Sequence, residues 1–240
     1  QDMLRLTLQA VGSEQLVKIW GAKKYRVTIK GETPRTIKVK TTVTNPALEN
    51  AYLLLGGKSG TLGTAVNNAS ILAQVKEGTF TFVSIVMKSS TTTSRYEDTK
   101  KLLDVILKKM ENPHYIPTEK FTAVSLAGVL LPNNPLFWTN LDKLPTYGYY
   151  GLNESQLLQQ ASLTKLMTSL IMLENISNIS ETFTIQSSDL VGGSGPKMYD
   201  GDQISFIDIL YFMLLPSSNI TAKAIGRVIG HKIIQARGYI

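Results

Sequence analysis

The sequence predicts a mixed α/β fold built from antiparallel strands and helices. Three observations carry that expectation. Period-two segments flank turn residues in pairs: "KKYRVTIKG" and "RTIKVKTTV" share "GETP", and "SILAQVKEGTFTFVSIVM" turns at "KEG". "RYEDTKKLLDVILKKM" lays its apolar residues along one helix face, with acids early and lysines late as the helix dipole favours. The last third alternates apolar helical stretches with polar loops. At 240 residues and 43% hydrophobic content, there is material for one large domain or two closely joined lobes.

Taken in order, "DMLRLTLQAVG" spaces its apolar residues as a helix, with Asp2 as its expected cap. The first hairpin follows. The apolar "AYLLLGG" runs into the Gly-punctuated "KSGTLGTA", which sequence alone leaves open between a turn and strand-like structure. The second hairpin leads to the polar loop "SSTTTS" and then to the amphipathic helix. "ENPHYIPTEK", with two prolines and no periodicity, is expected to be a linker. "FTAVSLAGVLL" and "PLFWTNLD" are expected strands, and "ASLTKLMTSLIML" is a helix. "ETFTIQ" is a short strand and "VGGSGPKMYDGDQ" a loop. "SFIDILYFMLL" and "NITAKAIGRVIG" are helices separated by "PSS". There is no internal repeat and no low-complexity tract.

The formal charge of +7 and pI near 9.4 are compatible with nucleic acid, an anionic membrane or cell-wall surface, or a carboxylate substrate. The basic residues are scattered and alternate with apolar ones, as on solvated strand faces, so no nucleic-acid partner is expected. Cysteine is absent, which excludes disulfides, thiolate metal sites and thiol catalysis. His114 and His231 are the only histidines and have no metal-like companions, which speaks against a zinc site or a Ser-His-Asp triad. No stretch has the ~18 uninterrupted apolar residues of a bilayer span. No basic-then-apolar leader opens the sequence at Gln1, so no signal peptide is expected there, which says nothing about export.

The chemistry concentrates at Ser162 and Lys165. Residues three apart share a helix face. A serine hydroxyl becomes a competent nucleophile when a base takes its proton, and a lysine amine can serve if burial or a neighbouring cation lowers its pKa. Free N–H groups at a helix start can also stabilise an oxyanion. Alone, S-x-x-K also describes a helix-start serine followed by a surface lysine. Two further elements accompany it: Ser217-Ser218-Asn219, an S-x-N between helices, and Lys58-Ser59-Gly60, basic–hydroxyl–glycine next to strand-like sequence. Each has a bland alternative, a helix cap for the first and a turn for the second. The trio together is that of penicillin-binding proteins and serine β-lactamases.

With those motifs, and with "ASLTKLMT", "DLVGGSGPKMYDGDQISFIDILYFMLLPSSN" and "RYEDTKKLL", the chain resembles the low-molecular-mass penicillin-binding proteins, the serine-type D-Ala-D-Ala carboxypeptidases. The resemblance implies an antiparallel sheet flanked by helices plus a helical lobe around Ser162, a β-lactamase/DD-peptidase-like fold with the active site between lobes. Ser162 would attack the penultimate D-Ala carbonyl and Lys165 would be its base. Ser217 would relay a proton to the leaving amine. Asn219 would bond substrate backbone or Lys165. Lys58 would depress the Lys165 pKa by like charge. Ser59, in place of the family's usual threonine, and Arg95 would receive the substrate carboxylate. Gly60 completes the motif, and the N–H groups of Ser162 and Thr61 would form the oxyanion hole. The implied partners are peptidoglycan stem peptides and β-lactam antibiotics, in an extracytoplasmic bacterial setting. No metal or organic cofactor is implied. A serine β-lactamase and a non-catalytic cell-wall-binding homologue remain alternatives; Glu154 and Glu181 are not convincingly placed as a deacylating base.

The order of the motifs is unusual. In the resembled family S-x-x-K comes first and the lysine–hydroxyl–glycine element last; here Lys58 precedes Ser162. One catalytic domain in circularly permuted order is expected: 1–110 as the family's C-terminal part, 111–120 as linker and 121–240 as its N-terminal part. The family's loop-rich segment between those parts is expected to be absent. Stretches joined out of order are the other possibility.

Overall fold

The computed structural model describes residues 1–78, 80–131 and 148–239. They fall into two compact units, Gln1–Gly21 with Val43–Leu163 and Ala22–Thr42 with Thr164–Ile240. The fold is mixed α/β, as expected.

The first unit opens with helices α1 (Asp2–Val11) and α2 (Glu14–Trp20). Asp2 is not the cap. It lies in the first turn of α1, whose N-cap, Gln1, makes no side-chain capping bond. There its carboxylate complements the positive end of the helix dipole instead. The second unit's hairpin, β1 (Lys24–Ile29) and β2 (Arg35–Lys40), intervenes in the chain. The first unit then resumes with the short helix α3 (Pro46–Ala51), strands β3 (Tyr52–Leu62), β4 (Val66–Val75) and β5 (Thr81–Met87), helix α4 (Ser94–Glu111), and strands β6 (Ser125–Leu131) and β7 (Tyr149–Leu152). The five strands form one antiparallel sheet in chain order. "KSGTL" is therefore strand, the second half of β3, and not a turn. "PLFWTNLD" lies outside the described residues.

Central strands of this sheet are covered on both faces, which explains their nearly unbroken apolar sequence. On one face Ile71, Ala73, Phe82 and Val86 pack with Leu102, Leu103 and Ile106 of α4 and Leu48 of α3. Burying side chains of this size is worth roughly 1.5–3 kcal/mol each. Gly128 of β6 lets α4 approach, since a Cβ there would stand 2.8 Å from Ile106 Cδ1. The alternate residues face α1, where the buried Thr7 and Ser70 hydroxyls bond at 3.0 Å. The start of α4 is fixed by Asp98, fully buried, which accepts from Ser89 Oγ, Thr122 N and Thr122 Oγ1 at 2.7–2.9 Å. Beyond α4 the expected linker lies against that helix. Glu119 accepts from Lys108 at 2.6 Å and Tyr115 at 2.7 Å, bonds that hold its carboxyl down at about 2.

In the second unit β1 and β2 pair antiparallel around the expected turn. Helix α5 (Thr164–Glu174) leads to β8 (Thr182–Thr184), β9 (Gln203–Ser205), α6 (Phe206–Leu214) and α7 (Asn219–Ala236). β8 pairs with β9, and a bridge from Lys30 to Gln203 carries the hairpin onto this pair. α6 is nearly wholly buried, with Phe206, Ile209, Leu210 and Phe212 at 0% exposure. A helix apolar all round must sit inside, and α5 and α7 pack on it. Tyr25 of β1 stacks on Tyr211 of α6 at 3.5 Å between ring centres. Two partly buried ion pairs tie loops to the frame: Arg35 grips Asp202 with both guanidinium nitrogens (2.6 and 2.5 Å), and Arg227 of α7 grips Asp189 (2.9 and 2.7 Å). Among the described residues no helix is long and apolar enough to cross a membrane.

Candidate active site

In the first unit the site is built on β3. Its pairing with β4 sets Lys58 opposite Ser70, Ser59 opposite Ala69 and Gly60 opposite Asn68. Lys58 is fully buried and donates to the Ser59 carbonyl at 2.8 Å. Ser162 sits in a single 3-10 turn, Ala161–Leu163, directly against this strand. Gly60 makes that approach possible. A Cβ on it would stand 3.0 Å from Gln160 O and 3.2 Å from Ser162 N. Ala161 takes φ +49°, in the left-handed region that an L side chain enters at a cost. The strain sits one residue before the candidate nucleophile.

Asn68 holds the turn in place, and sequence reading missed this role. Its side-chain amide donates to Gln159 O (2.8 Å) and Gln160 O (3.1 Å), while its carbonyl accepts from Lys88 N (2.8 Å). The only sequence signal was an Asn-Asn pair in an otherwise apolar strand. Arg95, in the first turn of α4, is 7% exposed and donates to Thr61 Oγ1 at 2.9 Å. Its guanidinium lies over the Tyr96 ring at 4.9 Å, and its Nε is buried without a partner among the described residues. The first unit thus gathers Lys58, Ser59, Gly60, Thr61, Arg95 and the Ser162 turn.

In the second unit Lys165 occupies the first turn of α5 and is 6% exposed. Its Nζ donates to Asn219 Oδ1 at 2.8 Å. Burial lowers its pKa to about 8, and burial is the cause of that shift. Asn219, the first residue of α7, is held from two sides. Its side-chain amide donates to Gly192 O at 3.1 Å and its N–H to Ser194 O at 3.0 Å. The loop can wrap it because Gly193 has φ +113°, where a Cβ would collide with the Asn219 amide. The helix cap proposed as the bland role of S-x-N falls to Ser218, whose Oγ accepts from Thr221 N at 3.3 Å. Ser217 is buried and left-handed at φ +65°. Neither it nor Asn219 is the capping residue.

The tightness at Gly60 has a measurable consequence. Gly60→Ala pushes a methyl into the Gln160–Ser162 backbone, and overpacking of this kind costs about 1–3 kcal/mol. The expected result is a lower midpoint in thermal unfolding, and if Ser162 is the nucleophile its reaction should slow by roughly tenfold or more, because a small misplacement of a reacting group is costly.

A buried lysine with a depressed pKa follows a serine by three residues, and an arginine with spare hydrogen-bonding capacity lies beside the lysine–hydroxyl–glycine strand. Among the described residues no group of three or more His, Asp or Glu side chains is arranged to hold a metal. Residues 133–238 match a family model described as "Beta-lactamase enzyme family". That stretch holds the S-x-x-K and S-x-N elements and leaves Lys58-Ser59-Gly60 outside it. The match supports a likeness of this stretch to the serine β-lactamase/DD-peptidase superfamily. Searches among curated proteins and among solved structures return no match.

Proposed function

We propose that the protein is a D-Ala-D-Ala carboxypeptidase that removes the terminal D-Ala from peptidoglycan stem peptides through an acyl-enzyme on Ser162, and that it binds penicillin. The observation that carries the proposal is Lys165: buried, lowered to about 8, and hydrogen-bonded to the S-x-N asparagine. In its neutral form the amine donates to Asn219 and keeps its lone pair for the Ser162 proton. Ser162 Oγ then bonds to the penultimate D-Ala carbonyl carbon. The C–N bond to the terminal D-Ala breaks, and the proton passes by way of Ser217 to the leaving amine. Water hydrolyses the ester and restores the serine. Arg95 and Ser59 would receive the terminal carboxylate, and the buried Arg95 Nε, without a partner among the described residues, is consistent with that role. The proposed setting is extracytoplasmic, with one catalytic domain in permuted motif order.

The β-lactamase name of the matched model favours a second reading, in which deacylation is fast. One experiment separates the two. The protein is incubated with benzylpenicillin and, separately, with a stem pentapeptide ending in D-Ala-D-Ala; intact mass and free D-Ala are followed. A stable one-penicillin adduct mapping to the Ser162 peptide, with D-Ala release from the pentapeptide, is the expected result. Rapid penicillin hydrolysis without accumulation, and no D-Ala, would assign a β-lactamase. Neither adduct nor turnover on folded protein would leave a wall-binding homologue.

A further inference from the structure

We propose that the outer face of the β1–β2 hairpin binds a linear, hydroxyl-bearing polyanion, a polymer of polyol or sugar phosphates. This surface is independent of the Ser162 chemistry.

Strand alternation turns Val27, Ile29 and Val39 inward and leaves Lys24, Arg26, Lys38 and Lys40 exposed. The register sets Lys24 opposite Lys40 and Arg26 opposite Lys38. Directly paired residues share a face with Cβ atoms about 4.5–5.5 Å apart, and same-face neighbours along a strand are about 7 Å apart. Four cations therefore occupy one small rectangle. Like charges directly opposite each other destabilise a sheet. Among the described residues none of the four forms an ion pair, although Arg35 in the same hairpin has found Asp202. The fold gains nothing from this arrangement, whereas a chain of closely spaced anions would neutralise it.

The next residue along the same face, Thr28, and then Lys30, line a cavity of about 200 Å³ together with Ser180, Thr182, Gln203, Ser205, Ile207 and Asp208. Hydroxyls, an amide and the Asp208 carboxylate make up most of its polar lining. They offer donors and acceptors to the hydroxyls of a polyol unit directly beside the cation ladder, whose charges receive the phosphates. The outward face carries no apolar side chain to enter a bilayer. It has no aromatic ring on which a nucleobase could stack, since Tyr25 is turned inward onto Tyr211.

The test titrates the full chain with a short poly(glycerol phosphate) at low salt, alongside inorganic polyphosphate of matched length, phosphatidylglycerol vesicles and oligothymidylate. Poly(glycerol phosphate) should bind most tightly. Arg26→Gln with Lys38→Gln should weaken it by about tenfold or more and flatten the log–log salt dependence by roughly one to two units. The same charge change at the exposed Lys18 and Lys76 should leave binding within about twofold. The ladder variant should melt no lower than the parent, because it relieves a like-charge contact. Thr182→Val should erase the preference over inorganic polyphosphate. Equal loss in the Lys18/Lys76 variant would reduce the effect to net charge and overturn the proposal. So would tighter binding to vesicles or oligothymidylate, or no binding of poly(glycerol phosphate) at all.

Discussion

Ser162→Ala should abolish the penicillin adduct and lower D-Ala release by about 10⁶-fold, the order seen when the nucleophile of a serine hydrolase is removed. The thermal midpoint should stay close to the parent's. The turn at Ala161–Leu163 is held through backbone atoms: Asn68 grips the carbonyls of Gln159 and Gln160, and Gly60 packs against Gln160 O and Ser162 N. Neither contact uses the serine hydroxyl, so its removal leaves them in place. Intact mass after penicillin and a melting curve on the same sample check both halves. An adduct that persists in the variant would place the nucleophile elsewhere, and peptide mapping would locate it. A collapse in stability would mean that the hydroxyl serves the fold. The contrast with Gly60→Ala is diagnostic, since that change keeps the hydroxyl and disturbs the frame.

The period-two hairpins and the long amphipathic helix were legible in sequence because each encodes one exposed face. The short helices α2 and α3 were not recognised, although Ser13 caps one and Asn45-Pro46 opens the other. Six or seven residues give no period to read, and only the cap chemistry marks them. β7 and β9 are three or four residues long and are strands only because a partner strand lies beside them. The "KSGTL" ambiguity had a physical source. Its glycines suggest a turn, yet in β3 Gly57 and Gly60 exist for close approach: a Cβ at Gly57 would press on Val43 and Ile71, and one at Gly60 on the Ser162 turn. Candidate site residues were named from motif chemistry, and the structure adds the geometry within each unit. Asn68 was missed because its work is done across 91 and 92 residues of chain on bare carbonyls, a role no local pattern announces. Peptide mapping tests the motif order. A peptide spanning "KKMENPHYIPTEK" recovered intact would support one continuous permuted chain, in keeping with the way Glu119 and Lys108 fasten that segment to α4.

The pH dependence of acylation should follow Lys165. With its pKa near 8, about a tenth of the amine is neutral at pH 7 and half at pH 8. The second-order rate of penicillin acylation should therefore climb about tenfold per pH unit below 7 and level off above 8. Lys165→Met should lose that limb together with about 10³-fold or more of the rate, because the proposed general base is gone. Stability supplies a second readout with a definite sign. The folded protein holds the Lys165 proton less tightly than the unfolded chain, whose lysine titrates near 10.5. Between about 8 and 10.5 the unfolded state binds more protons, so this group's contribution to stability rises with pH across that window. The gain is at most about 3 kcal/mol, since a tenfold change in proton affinity is worth about 1.36 kcal/mol. Below 8 the full cost of burying the charge is present. The methionine variant should lack the rise, and near pH 7 it should be no less stable than the parent, since an apolar side chain fills the site without that cost. Urea unfolding of both proteins at pH 7 and pH 10 measures this directly. A parent whose stability is flat across the window, with a flat acylation profile, would mean that Lys165 stays charged and that another group takes the Ser162 proton.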